Sequence, residues 1–134
     1  MTVTVRLTEQ RARELATLTE RCDRTAVWIA TQALLYAAHT STTTPKPLEA
    51  HLGRQKNTTH RSLIALRGAS LDIADGLAAA HIADDGRIPS RHEIVRAALA
   101  HLVDEFDGAD AAAAHLGGYG ADDAGRKPEG RGAA

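Results

Sequence analysis

The chain has a single cysteine, Cys22, and only one Trp, one Phe and two Tyr among 134 residues. One thiol excludes an internal disulfide framework and any zinc site built on several thiolates. Aromatic residues make up 3% of the composition, which argues against a large mixed core and against a pocket walled by rings. No apolar run approaches the ~20 residues that a helix needs to cross a bilayer. The opening stretch, MTVTVRLTEQRARE, lacks the apolar segment of a secretory signal, so the expectation is a soluble protein of the cytoplasm. Asn57-Thr58-Thr59 has the spelling of a glycosylation acceptor, but without export it carries no weight. An excess of one charge is also lacking: the formal net charge is -1. That balance hides an asymmetry. Residues 1–67 hold ten Lys and Arg against five acids (+5), whereas residues 68–134 hold six against twelve (-6). A polyanion would meet the first half more willingly than the second.

What is present is periodic. Thr2 to Leu7, TVTVRL, alternates strictly, with Val3, Val5 and Leu7 on one face and Thr2, Thr4 and Arg6 on the other. Period two with β-branched residues predicts a half-buried strand. Thr8 is placed to cap a helix that runs to about Cys22, with Leu15, Leu18 and Cys22 as its buried stripe. Asp23-Arg24 makes a turn, and Thr25 can cap a second helix to about Ala38. Thr40 to Thr59 is Thr-rich and holds Pro45 and Pro47; it reads as a linker with a weak turn around Leu48–Leu52.

The pattern then returns. Arg61 to Arg67, RSLIALR, has strand length. Ser70 can cap a helix carrying Ile73, Ala74, Leu77 and Ala80, ended by Asp84-Asp85-Gly86 with Gly86 in a left-handed position. Ser90 and Glu93 spell a capping box. The closing helix, with Ile94, Val95, Ala98, Leu99, Leu102, Val103 and Phe106, reads as the best amphipathic helix of the chain. Measured from their caps the two halves agree: Leu15 follows Thr8 as Leu77 follows Ser70, and Ala33-Leu34 follow Thr25 as Ala98-Leu99 follow Ser90. The expected fold is therefore mainly α with a short antiparallel two-stranded β-ribbon, a strand-helix-helix unit used twice. Its expected boundaries are 1–39 and 61–107 for the units, 40–60 for the linker and 108–134 for a disordered tail, with a short helical extension over Ala111–Leu116.

TVTVRLTEQRARELATLTERCDRTAVWIATQAL resembles a ribbon-helix-helix unit of the Arc- and MetJ-like DNA-binding superfamily, and IPSRHEIVRAALAHLV resembles the second helix of such a unit. The resemblance covers about residues 1–38 and 61–106. It implies that two strands pair into a ribbon that enters the major groove, about 12 Å wide, while helix N-termini meet phosphates. Thr2, Thr4 and Arg6 then occupy base-reading positions, and Arg24 with Thr25 matches the phosphate anchor, Asp23 standing where a glycine is frequent. In the second unit Ser90 and Arg91 fit the anchor. Its strand departs from the pattern: with Ile64 and Leu66 inward, the reading face is Arg61 and Arg67 flanking Leu63 and Ala65, suited to methyl groups and phosphates. The plain alternatives are that Thr2, Thr4 and Arg6 are only the wet face of a strand, and that the second strand serves pairing.

Other constellations fall short. Seven histidines, at 39, 51, 60, 81, 92, 101 and 115, show no metal-site spacing and read as solvated or capping residues. Cys22 reads as core, Trp28 as packing or a subunit contact, and Gly117-Gly118-Tyr119-Gly120 follows no strand, so it is no phosphate loop. No cofactor, metal site or enzyme is expected. The expected role is sequence-specific binding of double-stranded DNA at the nucleoid, as a transcriptional repressor or a plasmid transfer or maintenance factor. Chains could associate on DNA, and no membrane partner is expected. The alternatives are an antitoxin-type protein whose tail folds onto a protein partner, and an assembly module without DNA affinity. The twenty-residue linker spans roughly 25 Å as a coil, enough to bring the two strands together within one chain.

Overall fold

The computed structural model describes residues 1–53 and 55–117. Two strands, β1 (Thr2–Leu7) and β2 (His60–Ala65), and five helices, α1 (Glu9–Cys22), α2 (Ala26–Thr40), α3 (Ala69–Ala80), α4 (Arg91–Glu105) and α5 (Ala109–Gly117), follow in the order β1 α1 α2 β2 α3 α4 α5. The chain is mainly helical, with one two-stranded antiparallel sheet. No helix among the described residues is long and apolar enough to cross a membrane.

Alternation decides how the ribbon sits. Thr2 pairs with Ala65, Val3 with Ile64, Thr4 with Leu63, Val5 with Ser62, and Arg6 with Arg61. Directly paired residues share a face, so Val3, Val5 and Ile64 turn inward while Thr2, Thr4, Arg6, Arg61 and Leu63 turn outward. The N-terminal ammonium extends the ribbon by donating to the Leu66 carbonyl at 3.0 Å, and the Leu66 N–H donates to the Met1 carbonyl at 2.7 Å. The two strands thus pair within one chain, as the linker length allows. β1 lies over α4, and β2 over α2.

The helix caps follow the sequence. Thr8 accepts from the Arg11 N–H at 3.2 Å and Thr25 from the Trp28 N–H at 3.2 Å. Ser90 and Glu93 form a complete capping box. Asp23 ends α1 in the left-handed region, at φ 54, which is why a glycine would also suit that turn.

Several expectations are corrected. α3 begins after Gly68, at φ 54, one residue before the expected cap; Ser70 lies inside the helix, where its buried hydroxyl accepts from the Arg67 N–H and donates to the Arg67 carbonyl. The same helix stops at Ala80, so Gly86, at φ 88, serves the following turn instead. α4 is not amphipathic: Ile94 through Val103 are all buried, including Arg96 and His101. It is the central helix, packed against β1, α1, α2, α3 and α5. The short helical extension expected over Ala111–Leu116 is present as α5, but it belongs to the body and not to a tail: Ala112, Ala113 and Leu116 are buried. Cys22 is partly buried and its Sγ donates to the Ala113 carbonyl at 3.6 Å. The remainder of the expected tail, residues 118–134, with its Gly118-Tyr119-Gly120, lies outside the described residues.

The linker is tied to the core. Leu48 is fully buried, and its N–H donates to Nε2 of His81, itself 3% exposed. His81 Nδ1 lies 2.7 Å from the Leu77 carbonyl, so the ring donates through Nδ1 and accepts through Nε2. His81 and His101 are therefore interior and not solvated; His81 stands at the C-cap of α3, within the expectation of solvated or capping histidines, whereas His101 lies inside α4. Among the described residues no cluster could hold a metal ion.

His51 and His101 are expected to make the fold sensitive to acid. His51 lies 6.4 Å, ring to ring, from His101. His101 packs on Tyr36 at 5.5 Å and faces the Thr40 hydroxyl at 3.4 Å. Burial lowers the pKa of both. For His51, Asp104 opposes the shift and Arg11 adds to it; for His101, Glu105 and Asp104 oppose it while His51 and His81 add to it. A histidine whose folded pKa lies below its unfolded value contributes stability that is complete above the unfolded value and is lost as pH falls from there through the folded value. We predict a urea midpoint that begins to drop as pH falls towards about 6.5 and goes on dropping below it, and a smaller drop in His101→Gln. Equal drops in the two proteins would place the sensitivity elsewhere.

Candidate nucleic-acid interface

The outer face of the ribbon brings together six residues: Thr2, Thr4 and Arg6 from β1, and Arg61, Leu63 and Ala65 from β2. None of the six is acidic. Arg6 and Arg61 are exposed and directly opposite one another. Among the described residues neither forms an ion pair, and Arg67, just beyond the strand, forms none either. Like charges directly across a ladder destabilise a sheet unless an anion shares them. Leu63 is 68% exposed in the middle of this face, between the two arginines and the strand end. A large aliphatic side chain there can press on a thymine methyl or on an apolar protein surface.

The anchor positions divide. Ser90 and Arg91 lie beside Thr4 and Arg6, lining one cleft of about 990 Å³ between the ribbon and α3. Arg91 is not free there: its Nε and Nη2 make a bidentate pair with Asp75 at 2.7 and 3.0 Å. That hydrogen bond holds the Asp75 carboxyl below its ordinary range and raises Arg91. A phosphate at Arg91 would have to share or displace Asp75. Glu93, at the same helix start, is pushed up by burial, but Arg87 and Ser90 outweigh this and hold it ionised below its ordinary value. Its carboxylate would repel a phosphate approaching the capped amides.

On the other unit, Thr25 caps α2 as expected, but Arg24 does not present its charge to solvent. The side chain is 3% exposed and its guanidinium sits 4.9 Å over the Trp28 ring. This placement corrects the phosphate-anchoring expectation for Arg24, leaving Thr25 and the helix start. Trp28 is a packing residue, as its position suggested.

Sequence reasoning missed Arg96, Arg87 and His92, which gather around Arg6. A signal existed in IVRAALA, where one arginine interrupts an apolar run. No family model matches the chain, and no curated protein or solved structure matches it either.

Proposed function

We propose that the chain binds double-stranded DNA with the outer face of its ribbon, as two ribbon-helix-helix units folded into one body. The observation that carries the reading is the Arg6–Arg61 pair: two exposed guanidiniums directly opposite, without a carboxylate partner among the described residues. Each can pair bidentately with a guanine, while Thr2, Thr4 and Leu63 offer hydroxyl and methyl contacts. The unit reading draws support from the cap positions Thr8, Thr25 and Ser90 and from the crossing of each strand onto the later helix of the other half. Because the strands differ, the protein reads an asymmetric site, and any palindrome arises from two chains side by side. The role is that of a transcriptional repressor or a plasmid transfer or maintenance factor acting at the nucleoid. Selection from a randomised duplex pool tests it: a non-palindromic core should be enriched, and a pool that stays random would sink the reading.

The exposed Leu63 favours a second reading, in which the same face docks a protein, as in an antitoxin-type or assembly module. That reading predicts that Leu63→Ser abolishes partner binding.

A further inference from the structure

Arg6 also lines a second cavity, of about 650 Å³, together with Gly53, Arg87, His92, Glu93 and Arg96. The volume is that of a small-metabolite site rather than of a bare ion. Among the described residues three arginines line it, with one carboxylate, Glu93. Glu93 is already shared with Arg87, at 3.1 and 3.4 Å, and with Ser90. That leaves Arg6 and Arg96 with no ion pair among the described residues.

Arg96 is the unusual member. It is 7% exposed, its Nη2 donates to the Gly53 carbonyl, and its buried Nε has no hydrogen-bond partner among the described residues. A buried cation with an unmet donor is costly, and an incoming oxyanion would repay both deficits. Burial lowers the pKa of this guanidinium and Glu93 opposes the shift, consistent with a charge short of counter-charge. His92 adds a second unmet atom, its buried Nδ1. Gln55 and Thr58 complete the lining with neutral hydrogen-bonding groups.

We propose that this cavity binds a small organic oxyanion, its phosphate or carboxylate group held between Arg96 and Arg6. The His92 ring, Gln55 and Thr58 contact the rest of the ligand. Arg6 belongs also to the outer face of the ribbon, so an anion that engages it withdraws it from a duplex. The ligand is then a negative effector of DNA binding. Capture of the anion stands apart from the DNA reading; its regulatory consequence rests on that reading.

Calorimetric titration of the full chain with pyrophosphate and with citrate tests capture without DNA. At least one probe should bind with a Kd of about 1 mM or tighter. Arg96→Met, which keeps an unbranched stem, should weaken binding by about tenfold or more. Glu93→Gln retains a side chain suited to the capping box while removing the one carboxylate, and should tighten binding severalfold. Should Arg96→Met fail to fold, Glu93→Gln decides alone, because a gain of affinity is not a product of damage. No heat with either probe, or unchanged affinity in Glu93→Gln, overturns the proposal. In the DNA arm, the binding probe should weaken duplex binding more than sulfate does at equal ionic strength, and only where Arg96 is present. Capture without that effect overturns the coupling. A chain that captures the anion but binds no duplex contradicts the DNA reading instead.

Discussion

Replacing Arg6 and Arg61 together by alanine should cost about thirtyfold or more in affinity for the preferred duplex while leaving the fold intact or slightly more stable. Each arginine is worth ~1–3 kcal/mol when it reads a guanine. The two are direct neighbours across the ribbon, so their losses need not add. The rise in stability has the opposite physical origin. Two exposed guanidiniums facing one another repel, and the removal of a like-charged cross-strand pair returns ~0.2–1 kcal/mol. A binding loss joined to a higher melting temperature is what a functional charge pair produces and what a structural one does not. The check is anisotropy on the selected and on a scrambled duplex, with thermal melting of the same samples. Equal loss on both duplexes would remove the pair from base reading, and a lower melting temperature would mark it as part of the fold.

Leu48→Ala should be the most damaging single change in the segment between α2 and β2, at ~2–5 kcal/mol. Its side chain is fully buried, and the adjacent N–H is held by His81. Total stability of a small domain is ~5–15 kcal/mol, so this one truncation removes a large share of it. Thr43→Ala, a few residues earlier on an exposed stretch, should stay within about 0.5 kcal/mol of the parent. Urea denaturation of the two variants measures the difference. Similar midpoints would mean that the segment is a tether and not a part of the core.

Leu48 also marks where the sequence is hard to read. Its neighbours are Thr, Pro and Lys, with no periodicity to declare a buried face; the turn that follows it packs on α4, and its N–H is held by His81, just after α3. Arg24 was misplaced and Arg96 overlooked for a related reason. A charged residue is expected in water, but Trp28 covers one guanidinium and the chain at Gly53 covers the other. α4 looked amphipathic because its polar face holds Arg96 and His101, and only tertiary packing shows that this face is covered too. The Ala-rich start of α5 looked like tail because alanine carries little burial signal, although Ala112 and Ala113 pack closely. What was legible is what local chemistry dictates. Strict alternation in TVTVRL placed Thr2, Thr4 and Arg6 outward, the inward choice for Ile64 and Leu66 placed Arg61 and Leu63 beside them, and side-chain oxygens at Thr8, Thr25 and Ser90 marked three helix starts. The mutual position of Arg6 and Arg61 needed only the register that the ribbon supplies.

The central claim is that this ribbon reads duplex DNA, and fluorescence anisotropy of the full chain reaches it most directly. The selected duplex and a scrambled one of equal length are titrated at about 50 mM and about 200 mM salt. Nonspecific binding falls away with salt because it rests on displaced counterions, whereas hydrogen bonds to base edges persist. The scrambled duplex should be lost at the higher salt and the selected duplex retained, with retention abolished in the Arg6→Ala, Arg61→Ala double variant. Parallel loss of both duplexes with salt, or retention that survives the double variant, would contradict it.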